Sequence, residues 1–291
     1  MGEPLTVGII GAGAISAQYL DTFDTLPSLR LAAVADLDPD RAGAVAAERP
    51  GTRAVTPDEL VVAPDIDLVL NLTVPAAHAD VAGKAVAAGK HVYGEKPLAT
   101  TVAQATEVLA AADQAGVRVG CAPDTVLGTG IQTARRAIDD GSIGVPVAAS
   151  AVMANSGPES WHPSPDFYYL PGGGPLFDMG PYYVTAPVTL LGPVTRVTGT
   201  AGRPRPERTI GSGARAGVSV PVEVDTHVSG ALVHASGAIS TIIMSFDTVA
   251  TRASNLEVHG EHGSLIVPDP TPSPETRHCA ARATTTGRCY R

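Results

Sequence analysis

The sequence predicts an α/β protein in two parts: a doubly wound parallel sheet, then an α+β domain built on a mostly antiparallel sheet. Three observations predict it. A glycine-rich turn follows the first apolar run of the chain. Apolar strands then alternate with helical segments as far as residue 122. Beyond that point, strand-like runs of period two follow one another with turn residues between them. A length of 291 residues suits two domains, expected at 1–122 and 123–270.

The first element is the apolar run in "LTVGIIGAGAIS", which passes into glycines and then a helix. Its G-x-G-x-x-S pattern falls on Gly11, Gly13 and Ser16. Gly11 allows the tight turn, and Gly13 lets the backbone approach a pyrophosphate at the positive N-terminus of the next helix. Ala14 and Ile15 open that helix and complete the expected contacts. Ser16 replaces the usual third glycine or alanine and is small enough for helix–strand packing. This is the strand–turn–helix of a Rossmann dinucleotide fold. The second strand, "LRLAAVAD", ends at Asp36, 25 residues after Gly11. A carboxylate there accepts hydrogen bonds from both ribose hydroxyls of an adenosine and repels a 2′-phosphate. Asp38 adds negative charge and no arginine follows before Arg41, so NAD is expected over NADP.

The alternation continues with a strand at 67–75, a helix at 77–89, a short strand at 91–95, a helix at 101–116 and a strand at 117–122. Ligands of such sheets bind beyond the carboxyl ends of the strands. Thr73, Pro75 and His78 follow one strand, and Glu95, Lys96 and Pro97 follow the next. Both groups are therefore expected at the cofactor crevice.

Lys96 is one of only three lysines in a chain with 17 arginines. Arginine does not give up its proton in a protein, whereas lysine can. A lysine kept where arginine is the habit points to proton transfer.

The glycine loop, the acidic end of the second strand, "TVPAAH" and above all "GEKPLA" resemble the Gfo/Idh/MocA oxidoreductases, whose members include glucose–fructose oxidoreductase and inositol dehydrogenase. The resemblance covers about residues 4–270. It implies that Lys96, in the EKP motif, is catalytic. It also implies a G-G-G…D-x-G-x-H motif, matched by "PGGGPLFDMGPYY". The aspartate falls on Asp178. The histidine position holds Tyr182, a departure, because tyrosine can relay a proton but ordinarily titrates near 10 rather than about 6.5. Asp178 and Tyr182 are four apart, hence on one face if the segment is helical.

In the second half, "LGTGIQTARRAIDDGSIG" reads as a helix, and five strand-like runs follow, from "VPVAASAVMA" to "NLEVHGEHGSLIVPD". Pro187 in a helix would remove a hydrogen bond at a cost of about 3 kcal/mol, so a kink is expected there. Trp161, the only tryptophan, stands beside His162. An aromatic face and an imidazole suit a sugar ring, so both are candidate substrate contacts.

The net charge of −9 leaves no basic face for nucleic acid. No apolar run approaches the roughly 18 residues of a membrane span. The start lacks the basic and apolar regions of a secretory signal. The three cysteines have neither zinc-type spacing nor a disulfide framework, and the eight histidines no metal-site spacing. A cytoplasmic protein without a metal is expected. The reading is an NAD-dependent oxidoreductase acting on a secondary hydroxyl of a sugar, inositol or related polyol, with pairing of copies through the second-domain sheet implied by the resemblance. Two alternatives stay open: an NAD-dependent glycosidase of the same fold, and a nucleotide-binding protein without catalysis.

Residues 271–291 contain no Val, Ile, Leu, Met, Phe or Trp, and carry two of the three cysteines and four arginines. Such a segment has little apolar surface to offset its ordering entropy, so disorder is expected. Chains of the resembled family run further, which leads to the expectation of a chain truncated or frame-shifted near 271, with lowered stability and solubility.

Overall fold

The computed structural model describes residues 3–271 and the strand 289–290. It divides into two units, Met1–Ala122 and Pro123–Arg291.

The first unit runs β1 (Leu5–Ile10), α1 (Ser16–Phe23), β2 (Leu29–Ala35), α2 (Pro39–Glu48), β3 (Arg53–Val55), α3 (Pro57–Val62), β4 (Leu68–Asn71), α4 (His78–Ala87), β5 (His91–Gly94), α5 (Val102–Ala115) and β6 (Val119–Cys121). Its six strands are parallel in the order β3-β2-β1-β4-β5-β6. The chain winds outward from the adjacent pair β1 and β4, so the crevice of such a sheet lies at the carboxyl ends of these two strands. Helices cover both faces. Ala82, Ala85 and Val86 of α4 and Val108 and Ala112 of α5 pack with Val69 and Val92. Leu20 of α1 and Ala42 of α2 pack with Val7, Ile9, Val34 and Leu70. Each fully buried large aliphatic side chain contributes about 1.5–3 kcal/mol. Helix α3 lies close because β1 carries Gly8, where a Cβ would sit 2.7 Å from the Leu60 side chain.

The segment 37–66 holds α2, β3 and α3, three elements beyond those expected from the alternation. Their caps are explicit in the sequence. Asp38 accepts the Asp40 N–H and precedes Pro39, and Thr56 and Glu59 form a reciprocal capping box before Pro57.

The second unit contains α6 (Thr129–Asp139), β7 (Pro146–Ala154), α7 (Pro175–Asp178), α8 (Gly180–Leu191), β8 (Val194–Gly202), β9 (Glu207–Thr209), β10 (Ser219–Pro221), β11 (His227–His234), β12 (Ile239–Ser245), β13 (Leu256–Gly260), β14 (Ser264–Val267) and β15 (Cys289–Tyr290). Seven of these strands form a sheet in the order β15-β14-β13-β7-β12-β11-β8, and β9 and β10 form a separate pair. The sheet is mixed, since β7 pairs with β12 in parallel while its other pairs are antiparallel. Helices α6 and α8 cover one face, with Ile131, Tyr183, Ala186 and Leu190 packed among Ala149, Met153, Ile242, Met244 and Val258. Pro187 lies inside α8 and is buried, and the helix continues to Leu191. The run "NLEVHGEHGSLIVPD" is not one strand but the antiparallel pair β13–β14. The expectation of disorder from 271 onward concerns chiefly residues 272–288 and 291, which lie outside the described residues.

Candidate functional site

The glycine turn sits at the carboxyl end of β1 with the conformation its sequence requires. Gly11 has φ +105°, and a Cβ there would lie 2.6 Å from the Leu72 carbonyl oxygen. Beside Gly13 the space is open, with no heavy atom within 4 Å of a would-be Cβ. Ser16 is buried, and its hydroxyl donates to the Gly13 carbonyl at 2.7 Å, so the serine closes the turn as well as packing. Ala14 and Ile15 are exposed at the start of α1. A turn only glycine can make, an open flank at the second glycine and a helix N-terminus beyond it fit a dinucleotide pyrophosphate.

Asp36 holds this turn. Its Oδ2 accepts the Ala12 N–H at 2.7 Å and its Oδ1 accepts the Asp38 N–H at 2.9 Å. Each carboxylate oxygen has a further lone pair, so the geometry is compatible with two ribose hydroxyls.

Three buried or half-buried side chains gather behind the carboxyl ends of β4 and β5. Asn71, 1% exposed, accepts from the Thr73 hydroxyl at 2.7 Å and donates to the His78 carbonyl at 3.0 Å. His78 is buried, with Nε2 2.9 Å from the Thr73 carbonyl oxygen and Nδ1 2.5 Å from that of Pro97. Each ring nitrogen thus faces a carbonyl oxygen, and in a neutral imidazole only one of them carries the N–H that can donate. Pro75 opens a short 3₁₀ turn ahead of α4. Glu95 accepts the Tyr19 hydroxyl at 2.8 Å and the Lys96 N–H at 3.1 Å, and the Lys96–Pro97 peptide bond is cis. Cys121 lies beneath this turn, its Sγ–H donating to the Ala122 carbonyl at 2.8 Å. Burial first, and then the charge of Glu95, push its thiol up to about 11.

In the second unit, the triple glycine makes close approaches. A Cβ on Gly173 would meet the Phe167 and Tyr168 carbonyl oxygens at 2.5 and 2.6 Å, and Gly174 has φ +85°. Asp178 ends α7, and Tyr182 lies in the first turn of α8. The two therefore lie on consecutive helices, four residues apart. Pro181 has no N–H to continue the first helix and suits the opening turn of the second. Trp161 and His162 belong to an aromatic group with Phe167 and Tyr168, the His162 ring lying 5.4–5.6 Å from the other three. Trp161 is exposed. Burial, and after it the charge of Asp178, push the Tyr168 hydroxyl up to about 12.

The loop that carries these aromatics is held by a buried arginine. Arg208, 3% exposed, donates to Glu159 at 2.7 Å, to the carbonyls of Ser156 and Phe246, and to Asp247. The Tyr169 hydroxyl donates to Glu159, and the Thr226 hydroxyl to Asp247 at 2.6 Å.

Sequence reasoning missed Tyr19, Asn71, Tyr168 and Arg208. Only Asn71, a polar residue ending the apolar run "DLVLN", carried a local signal. Among the described residues there is no group of His, Cys, Asp and Glu that could hold a metal, and no helix long and apolar enough to cross a membrane.

Comparison with known proteins accounts for both units. Residues 5–122 match the NAD-binding Rossmann fold of an oxidoreductase family, and residues 131–266 match the Gfo/Idh/MocA C-terminal domain. The chain is 34% identical to an inositol 2-dehydrogenase of Ralstonia nicotianae over 52% of its own length and 46% of that protein's, so it spans less than half of that relative. It is 29% identical to a 1,5-anhydro-D-fructose reductase of Ensifer adhaerens, over 89% of this chain and 74% of that one. The crystal structure of an NAD-binding oxidoreductase from Klebsiella pneumoniae superposes with a TM-score of 0.78 at 30% identity, covering 92% of this chain and 73% of the other. Since the two family models together match residues 5–122 and 131–266, most of the sequence, the chain belongs to the Gfo/Idh/MocA oxidoreductase family.

Proposed function

We propose that this protein is an NAD-dependent oxidoreductase that moves a hydride between a nicotinamide and a secondary hydroxyl of a sugar, inositol or related polyol. The observation that carries the reading is the Lys96 turn at the end of β5, in the same unit as the glycine turn and Asp36. The names of the relatives, an inositol dehydrogenase and an anhydrofructose reductase, support the substrate class. NAD, when bound, takes up or supplies the hydride. Gly11, Gly13 and the start of α1 would hold its pyrophosphate, and Asp36 its adenosine ribose.

Oxidising the alcohol requires that its hydroxyl proton leave as the hydride does, so a base must lie within hydrogen-bond reach. Lys96 fills that role: its neutral amine takes the hydroxyl proton, and in the reverse direction its ammonium donates one to the ketone. Asp178, the aspartate of the family motif, orients the substrate through its carboxylate. Tyr182, where the family has histidine, assists in proton relay. Trp161 and His162 offer a ring face and an imidazole to the sugar. A homo-oligomer formed through the sheet of the second unit and a cytoplasmic location belong to the same reading.

The test is a dehydrogenase screen of sugars and inositols with NAD and NADP in parallel. NADH accumulating in proportion to one polyol, with NADP the weaker partner, is the expected result. Glycoside cleavage without net NADH would replace it with the glycosidase reading. Tight NAD binding with no turnover across a broad panel would replace it with a binding protein.

A further inference from the structure

The turn that carries Lys96 is held less by the sheet than by side chains arriving from two helices. Strand β5 ends at Gly94, and the next N–H, that of Glu95, donates to the Asn71 carbonyl at 3.0 Å. After it, the Lys96 N–H donates to Glu95 Oε2 at 3.1 Å, and Pro97 has no N–H to give. The other oxygen of Glu95 accepts the Tyr19 hydroxyl at 2.8 Å, across 76 residues of chain. On the far side of Lys96, the Pro97 carbonyl oxygen faces His78 Nδ1 at 2.5 Å. The remaining nitrogen of His78 faces the Thr73 carbonyl at 2.9 Å, and Asn71 fixes both Thr73 and the His78 backbone.

We infer that Tyr19 and His78 are positioning residues for Lys96, acting on the residues either side of it. The inference rests on Lys96 being the proton-exchanging group. Tyr19 stands on α1, the helix that begins at the glycine turn, so its bond to Glu95 sets the lysine turn against the pyrophosphate site. His78 opens α4 and ties the lysine turn to the loop after β4. Lysine has a long, flexible stem, so the place of its ammonium depends on how firmly the backbone beneath it is fixed. Neither residue is a catalytic group on this account: His78 is buried with its ring between two carbonyl oxygens, and the Tyr19 hydroxyl donates to a carboxylate.

The chain's three lysines make the test direct. Reductive methylation with ¹³C-formaldehyde places a label on Lys84, Lys90, Lys96 and the N-terminal amine, and Lys96→Arg assigns the Lys96 resonance. In the full-length protein, Tyr19→Phe removes one hydroxyl and is the variant least able to disturb folding. It is expected to move the Lys96 resonance while those of Lys84 and Lys90 stay in place, with NAD affinity within about twofold. His78→Gln, which retains an amide N–H for one carbonyl, should move the same resonance by less than His78→Leu. Turnover on any accepted polyol should fall in kcat by roughly 10- to 100-fold in Tyr19→Phe, as expected for a misplaced group. A Lys96 resonance unchanged in both Tyr19→Phe and His78→Leu overturns the inference. The resonance needs no substrate, so a failure of the polyol reading would show separately, as absence of turnover in the unaltered protein.

Discussion

The Asp36 carboxylate accepts the backbone N–H of Ala12 at 2.7 Å, between the two glycines of the turn and 24 residues away in sequence. The residue expected to select the cofactor's ribose therefore also builds the turn that would receive its pyrophosphate. Selectivity and loop geometry should then be lost together. Asp36→Ala is expected to weaken NAD by about 10- to 100-fold, more than the loss of two ribose bonds to a flexible partner, and to narrow the preference over NADP. Calorimetric titration of both cofactors checks this. Tighter NADP binding in the unaltered protein would refute the ribose role.

Lys96→Arg keeps the positive charge and removes the exchangeable proton. Turnover should fall by a factor of about 10² or more, with NAD affinity nearly unchanged. Tyr182→Phe should cost less, because a relay can be bypassed by water, and nothing at all if the ring only packs. Steady-state kinetics on the best polyol of the screen decides both, and full activity of Lys96→Arg would sink the mechanism.

The parts of this site that were legible in the sequence are those bound by local chemistry. Gly11, Gly13 and Asp36 stand at fixed distances from a strand end, and Lys96 stood out against 17 arginines. The parts that were not legible are contacts between distant segments. Nothing in "AQYLDT" announces that Tyr19 reaches Glu95, and nothing in "PRPERTI" announces that Arg208 is buried. The segment 37–66 is a different kind of miss: its caps, Asp38–Pro39 and Thr56–Glu59, were written in the sequence and define α2 and α3. Asp178 and Tyr182, four apart, were expected on one face if their segment were helical; Asp178 ends α7 and Tyr182 lies in the first turn of α8.

Cys121 gives a pH test. Its thiol is pushed up to about 11, mainly by burial, against an unfolded value near 9. Between these values the unfolded chain has lost the proton that the folded chain keeps. The thiol's contribution to stability is therefore complete below about pH 9 and is lost as pH rises toward 11. Urea melts at intervals from pH 8 to 10.5 should show a decline in stability that is shallower in Cys121→Ala. Alkylation of Cys121, followed on its own peptide by mass spectrometry, should be slow at pH 8 in the folded protein and fast in urea. Equal rates in the two states would contradict its burial.

Arg208 provides the largest expected loss of stability in the second unit. Its side chain is 1% exposed and lies between Glu159 and Asp247, whose side chains are 12% and 11% exposed. Removing the guanidinium takes the counter-charge from Glu159, leaves Asp247 to Arg205 at 3.3 Å, and strands the carbonyls of Ser156 and Phe246 that it also reaches. Breaking such a group typically costs about 3–5 kcal/mol. Arg208→Met, similar in volume, should cost this much in urea unfolding, while Arg208→Lys should recover only part, since one ammonium cannot reproduce the planar fork. Because Arg208 fastens the loop ahead of Trp161 and His162, the loss should also reach the proposed substrate site. Arg208→Lys is expected to raise KM for the polyol while NAD affinity, set in the first unit, stays the same. If Arg208→Met costs less than about 1 kcal/mol, the network is not what holds this loop.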